Sequence, residues 1–336
     1  MENKPNIFDF ATSELTQDAF IAWLINWSDK NFKTIDYNLH KCAISFVQKL
    51  LMKDHSYSIN SVKVGRQWKN IDVWALINNE YFIVIEDKKG TTEHSNQLVR
   101  YSEIAKEKYA NTDIEIKLIY FKMEEQGKYS NIEKAGFTVF KRDKMLSLLY
   151  EYISTTPKLK QNDIIADYYY NLIKLDKNIN SYTILPLDEW HWHSWQGFYS
   201  KIKEHIGGNW EYVSNASGGF LGFFINWSHS KINEIDFEYY IQIEQNRIVY
   251  KLYVYDESER KNIRSLYRNI LFNNAKQLGI NITKHGRLGK YMGVAKLNNE
   301  YRITDNNGHL DFEATLKIIK KQISLINNIK HKLNCN

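Results

Sequence analysis

The chain of 336 residues predicts an α/β domain of αβββαβ order followed by a second, α+β domain built from an antiparallel sheet plus helices. Three observations predict it. Residues 14–52 carry helix-period apolar patterns, and 57–88 carry strand-like runs. A lone amphipathic segment then separates those strands from two more. Past residue 176, strand-like runs come first and helical ones follow.

Ser13-Glu14-Leu15-Thr16-Gln17-Asp18 opens an apolar helix over 19–27. Ser, Thr and acids favour a first turn by capping and by the helix dipole, which accounts for Asp18 well and Glu14 less well. Leu39, Ala43, Phe46, Val47, Leu50 and Leu51 set a second helix over 37–52. A strand is expected over 57–64. Residues 73–77 and 81–85 flank Asn78-Asn79-Glu80, a hairpin signal. A two-residue loop would set Asp72 and Glu86 on opposite faces. A three-residue loop sets them directly across on one face, and since Asn tolerates the left-handed region, that register is predicted. A bulge at Asp72 would give the same result. Alternation then brings Lys88 beside Glu86 and turns Asp87 away. A helix from Asn96 to about residue 108 places Gln97 and Tyr101 one turn apart. Strands at 114–121 and 137–140 and a helix at 144–153 complete the unit.

Asp72, Glu86 and Lys88 on a strand pair suggest chemistry on a phosphodiester. Hard carboxylate oxygens suit Mg²⁺ or Mn²⁺, with the backbone carbonyl of Asp87 as a further ligand. Lys88 would orient the attacking water or offset charge on the phosphorane. Each part alone is a common hairpin decoration. However, Ile83-Val84-Ile85 reads as a buried strand, and a carboxylate at its end needs partners.

With Asn6-Ile7-Phe8, residues 14–27, Asn70-Ile71-Asp72, Ile85-Glu86-Asp87-Lys88 and Gln97-Leu98-Val99-Arg100-Tyr101 in view, residues 5–145 resemble the PD-(D/E)XK nuclease superfamily. The likeness is to its bacterial branch with an N-terminal Glu-Leu-Ser/Thr-Gln-Asp-Ala-Phe helix. It implies a restriction-endonuclease-like core and a metal-dependent nuclease, with DNA preferred over RNA as partner. By position, Asp72 matches the motif aspartate, Glu86 the (D/E) and Lys88 the lysine. Glu14 matches a first-helix acid that assists metal binding directly or through water. Gln97 and Tyr101 match a Gln-x-x-x-Tyr helix that lines the active site. Ile71 stands where the motif has proline.

Length and composition frame the rest. Hydrophobics at 43% and aromatics at 14% indicate a folded chain, with domains expected at 1–175 and 176–336. Asn178-Ile179-Asn180-Ser181 and Pro186 break the helical pattern of 168–175 and set that boundary. Cys42 and Cys335 are too few and too far apart for a disulfide framework. A polar start and apolar runs no longer than 220–225 give no secretory signal or membrane span, which fits a cytoplasmic bacterial protein.

In the second domain, Trp190-His191-Trp192-His193-Ser194-Trp195 reads as a core or seam anchor; its His-x-His is a weak metal signal. Strands are expected at 220–227, 237–244 and 248–255, and helices at 257–278 and 312–330. Residues 260–299 contain no acid and carry +9, against +6 for the whole chain. Arg260, Arg264 and Arg268 recur every four residues, and Arg287 and Lys290 lie on a glycine-bearing loop. Such cations suit a phosphate backbone, equally a solvated helix face. The function expected is a nuclease, in restriction or phage defence; a homodimer follows only if it cuts duplexes symmetrically. The rivals are a non-catalytic nucleic-acid or nucleotide-signal binder on this fold, and an RNA-cutting toxin or defence effector.

Overall fold

The computed structural model describes residues 4–90, 96–215 and 218–334; Cys335 lies outside them. The chain divides into two compact units, Met1–Glu125 with Tyr129–Lys177, and Gln126–Lys128 with Asn178–Asn336.

The first unit opens with α1 (Glu14–Asn26) and α2 (Tyr37–Leu51). Asp36 caps α2 by accepting from Leu39 N at 3.0 Å, and Met52, at φ 57°, ends it in the left-handed region. Then come β1 (Val62–Trp68), β2 (Ile71–Ile77), β3 (Tyr81–Lys88), α3 (Gln97–Lys108), β4 (Glu115–Lys122), α4 (Ser130–Lys134), β5 (Thr138–Lys141), α5 (Arg142–Thr155) and α6 (Asp163–Asn180). The sheet runs β1-β2-β3-β4-β5, antiparallel through β3 and parallel beyond, with α3 crossing over from β3 to β4.

Both faces of this sheet are covered. Val73, Ala75, Ile83 and Ile85 pack with Leu24 of α1 and Phe46 of α2, while Phe82, Val84 and Tyr120 pack with Leu98 and Ala105 of α3. That explains the unbroken apolar run in β3, which is buried from Phe82 through Ile85. Two expectations shift. The first strand lies at Val62–Trp68 instead of 57–64, because Asn60 N and Ser61 N bond the Asn78 side chain instead of a strand. The helix expected to stop near 175 continues to Asn180.

The second unit contains α7 (Trp192–Ile206), β6 (Asn209–Val213), β7 (Phe220–Ile232), β8 (Ile235–Glu244), β9 (Ile248–Val254), α8 (Arg260–Gln277), β10 (Ile282–Lys284), β11 (Tyr291–Leu297), β12 (Ile303–Thr304), β13 (Leu310–Asp311) and α9 (Phe312–Asn334). Its main sheet, β10-β11-β9-β8-β7-β6, is antiparallel throughout. Phe198 of α7, Tyr267 of α8 and Ile326 of α9 share one core with Phe223, Ile241 and Tyr250. The Trp-rich run thus begins a helix: His191 is its N-cap, with its backbone N donating to Ser194 Oγ at 3.2 Å.

Candidate active site

The site begins with a turn. Asn78 and Asn79 both have positive φ (53° and 55°), and Glu80 N donates to Ile77 O at 2.9 Å. This closes a three-residue loop and pairs Ile77 with Tyr81 through Val73 with Ile85. One further step sets Asp72 across from Glu86, at the end of the strand pair. Asp87 N donates to Asp72 Oδ2 at 2.9 Å, fixing that carboxylate.

Glu86 is completely buried, and one oxygen forms an ion pair with Lys88 Nζ. The other oxygen, Oε2, has no hydrogen-bond partner among the described residues. Burial, and then the charge of Asp72, push its pKa up to about 8 despite Lys88. Burial pulls the Lys88 ammonium down, but the Glu86 contact and the charges of Asp72 and Glu14 outweigh it and leave it above its ordinary value. The pair is held where added positive charge would be welcome.

Asp87 faces the other way, as alternation requires. Its Oδ1 accepts from Gln17 Nε2 at 2.6 Å, and Gln17 Oε1 accepts from Tyr168 OH at 3.1 Å. Burial, followed by the charges of Asp18 and Asp72, raises its pKa well above the ordinary carboxyl value against the lowering effect of the Gln17 hydrogen bond.

Gln17 and Asp18 follow Glu14 on α1 by three and four residues, so each lies one turn from it. Glu14 accepts from Lys89 N at 2.9 Å, just beyond Lys88. Asp18 is 1% exposed, and burial followed by the charge of Asp72 raises its pKa to about 7. Gln67 Nε2 lies between the two, 3.4 Å from Asp18 Oδ2 and 3.5 Å from Asp72 Oδ1. The capping explanation of Asp18 therefore gives way to a place beside the carboxylates. Its spacing of four from Glu14 was the signal that could have found it. Lys122, paired with Lys88 across β3 and β4, donates to Lys89 O at 2.6 Å, and its burial lowers its pKa to about 8. On α3, Gln97 Nε2 donates to Tyr101 OH at 2.8 Å, and Tyr101 OH donates to Asn70 O at 2.5 Å, two residues before Asp72.

In the second unit, Arg264 is spent within the fold: one guanidinium nitrogen donates to His285 O, Gly286 O and Gly293 O at 3.0, 2.6 and 2.9 Å. Arg260 pairs with Glu257 at 2.8 Å, and Arg268 is half-buried. Arg287 and Lys290 are exposed. The helical stripe is thus largely a packing feature, and the loop carries the accessible cations.

The sheet thus brings two facing carboxylates, Asp72 and Glu86, and the ammonium of Lys88 together at one strand end. The chain belongs to the PD-(D/E)XK nuclease superfamily, whose family description matches residues 5–183, more than half of its length. No curated protein and no solved structure gives a significant match. Membership carries nuclease-type phosphodiester chemistry on nucleic acid and the use of divalent metals in general. Among the described residues, no helix is long and apolar enough to cross a membrane.

Proposed function

We propose that the first unit cuts DNA with Mg²⁺ or Mn²⁺, and that Asp72 and Glu86 are the carboxylates that hold the ion. Asp72 beside Glu86, with Glu86 Oε2 buried and lacking a hydrogen-bond partner among the described residues, carries this reading. No group of three or more acidic, His or Cys side chains among the described residues is arranged to hold a metal. A two-carboxylate donor set fits Mg²⁺, which keeps waters and takes phosphate oxygens for its remaining positions. The Asp87 carbonyl would be a further ligand, and Glu14 would assist directly or through water.

When bound, such an ion polarises the phosphate and lowers the pKa of a water. The chain's own residues do the rest. Glu86 would hold the ion together with Asp72, and Lys88, paired with Glu86 at the same strand end, would offset negative charge developing on the phosphate. Asp87, held by Gln17 and Tyr168, stiffens the end of β3. Tyr101, buried and held by Gln97, braces Asn70 two residues before Asp72 and so supports the carboxylate from behind. Arg287 and Lys290 of the second unit contact the phosphate backbone.

The test is incubation of wild type and Asp72→Ala with circular, linear and single-stranded DNA and with RNA, each with Mg²⁺, Mn²⁺ or EDTA. Metal-dependent cleavage by wild type alone is expected, and circular against linear DNA separates endonuclease from exonuclease. Cleavage that persists in EDTA or in Asp72→Ala would sink the assignment. Plaque counts on cells expressing wild type or Glu86→Ala would test a role in phage defence.

A further inference from the structure

We propose that the face of the second unit's sheet opposite its helices is a stacking platform for single-stranded nucleic acid, with Trp227 and Tyr291 as the base-contacting rings. This rests on the proposal that the chain acts on nucleic acid, and it adds which form the second unit grips.

Alternation sorts the strands into two faces. Tyr239, Ile241, Tyr250 and Leu252 point into the helix-covered core. The register places Phe224, Tyr240, Tyr253 and Tyr291 on the other face. Trp227 joins them because β7 carries a bulge between Ile225 and Ser228, with Asn226 at φ 54°.

The rings on this face are layered. Trp227 lies flat on Tyr240, with centroids 3.9 Å apart and planes at 6°. Tyr240 is 3% exposed and Trp227 49%, so the indole turns its second face to solvent. Tyr291 stacks on Tyr253 at 4.5 Å and 27°, and is 56% exposed. Glu238 accepts from Trp227 Nε1 and from Tyr255 OH, which engages its carboxylate and locks both rings. Rings fixed in advance lose little entropy on binding a flat ligand.

Cations border the rings. Lys290 Nζ sits 5.6 Å from the Tyr253 centroid. Residues 284–290 supply Lys284, Arg287 and Lys290 with no acid among them. Arg264 straps this loop down, and Gly286 lies so close to β11 that a Cβ there would come 2.8 Å from Gly293 backbone. Half-exposed aromatic pairs edged by positive charge suit unpaired bases with phosphates between them. A duplex hides its base faces, and a neutral protein surface would leave the cations unmatched.

The experiment is fluorescence anisotropy of labelled oligo(dT), oligo(U) and a duplex, each about twenty units long to span one platform, titrated with the full chain in EDTA so that nothing is cut. Single strands are expected to bind more tightly than the duplex, and the two oligomers separate DNA from RNA. Trp227→Ala and Tyr291→Ala should each weaken single-strand binding about tenfold without changing its salt dependence, and Trp227→Phe should recover most of the loss. Lys290→Ala should instead lower the salt slope by about one. Melting by circular dichroism checks folding; if Trp227→Ala unfolds, the exposed Tyr291 decides. Equal affinity for duplex and single strands, aromatic variants that bind like wild type, or no binding at low salt would each overturn the platform. Cleavage with no stacking contribution sinks the platform alone, whereas stacking without cleavage sinks only the nuclease assignment.

Discussion

The two sheets of this chain solve opposite problems with similar strands. The first is covered on both faces, so every side chain of β3 after Tyr81 is buried, and the polar ones at its end must satisfy one another. Glu86 meets Lys88 on one face while Asp87 meets Gln17 on the other. The second sheet gives helices to one face only and leaves aromatic pairs on the other. Burial on both faces produces strained ionisation, useful where a charge is to be bound. Burial on one face produces flat, wet surface, useful where a ligand is to be laid down.

Variants that probe this contrast differ widely in expected effect. Glu86→Ala should reduce phosphodiester cleavage about a thousandfold in a metal-supplemented assay, with Lys88→Ala nearly as severe. Asp18→Asn tests ionisation strain through pH. Asp18 has an ordinary pKa of 3.8 when unfolded and about 7 when folded. Between those values the unfolded chain has lost a proton that the folded chain keeps. The stability from its neutral form is therefore full below about pH 4, declines as pH rises to about 7 and stays flat beyond. Urea unfolding should show a stability difference between pH 4 and pH 8 that is about 4 kcal/mol smaller in Asp18→Asn than in wild type. An unchanged difference would remove Asp18 from the charged cluster. Gln17→Ala should cost about 1 kcal/mol by orphaning Asp87. On the wet sheet, Tyr291→Ala should move the unfolding midpoint least, within about 0.5 kcal/mol.

Much of the first sheet was legible in the sequence, because local chemistry dictated it. Asn78 and Asn79 could both take left-handed backbone, which set the register, and the register carried Asp72 to Glu86. The early start assigned to β1 failed because its true residues, Gly65-Arg66-Gln67, form a polar edge with no apolar alternation. Gly65 is there because the Trp74 ring lies over it, leaving a Cβ only 2.6 Å of room. Helix α7 was hidden because Trp, His and Ser are indifferent helix formers, and its burial against the sheet stabilises it instead. The arginines of α8 were misleading because sequence spacing shows which side chains share a face, whereas the carbonyls that claim Arg264 come from residues more than twenty positions away. Asp18 was obscured by a capping role that Ser, Thr and acids fill at any helix start.

The bulge in β7 has a consequence for how this gene can change. Asn226 is a surplus residue in its strand: the pairs before it and after it differ by one step in register. Losing its codon would leave Ser228 opposite Tyr239 and Ser230 opposite Phe237, with core and surface in place. Losing any codon between Ser228 and Ile232 would turn the rest of the strand inside out. Length variation among descendants of this sequence is thereby channelled to one position in β7, next to the tryptophan it sets on the surface.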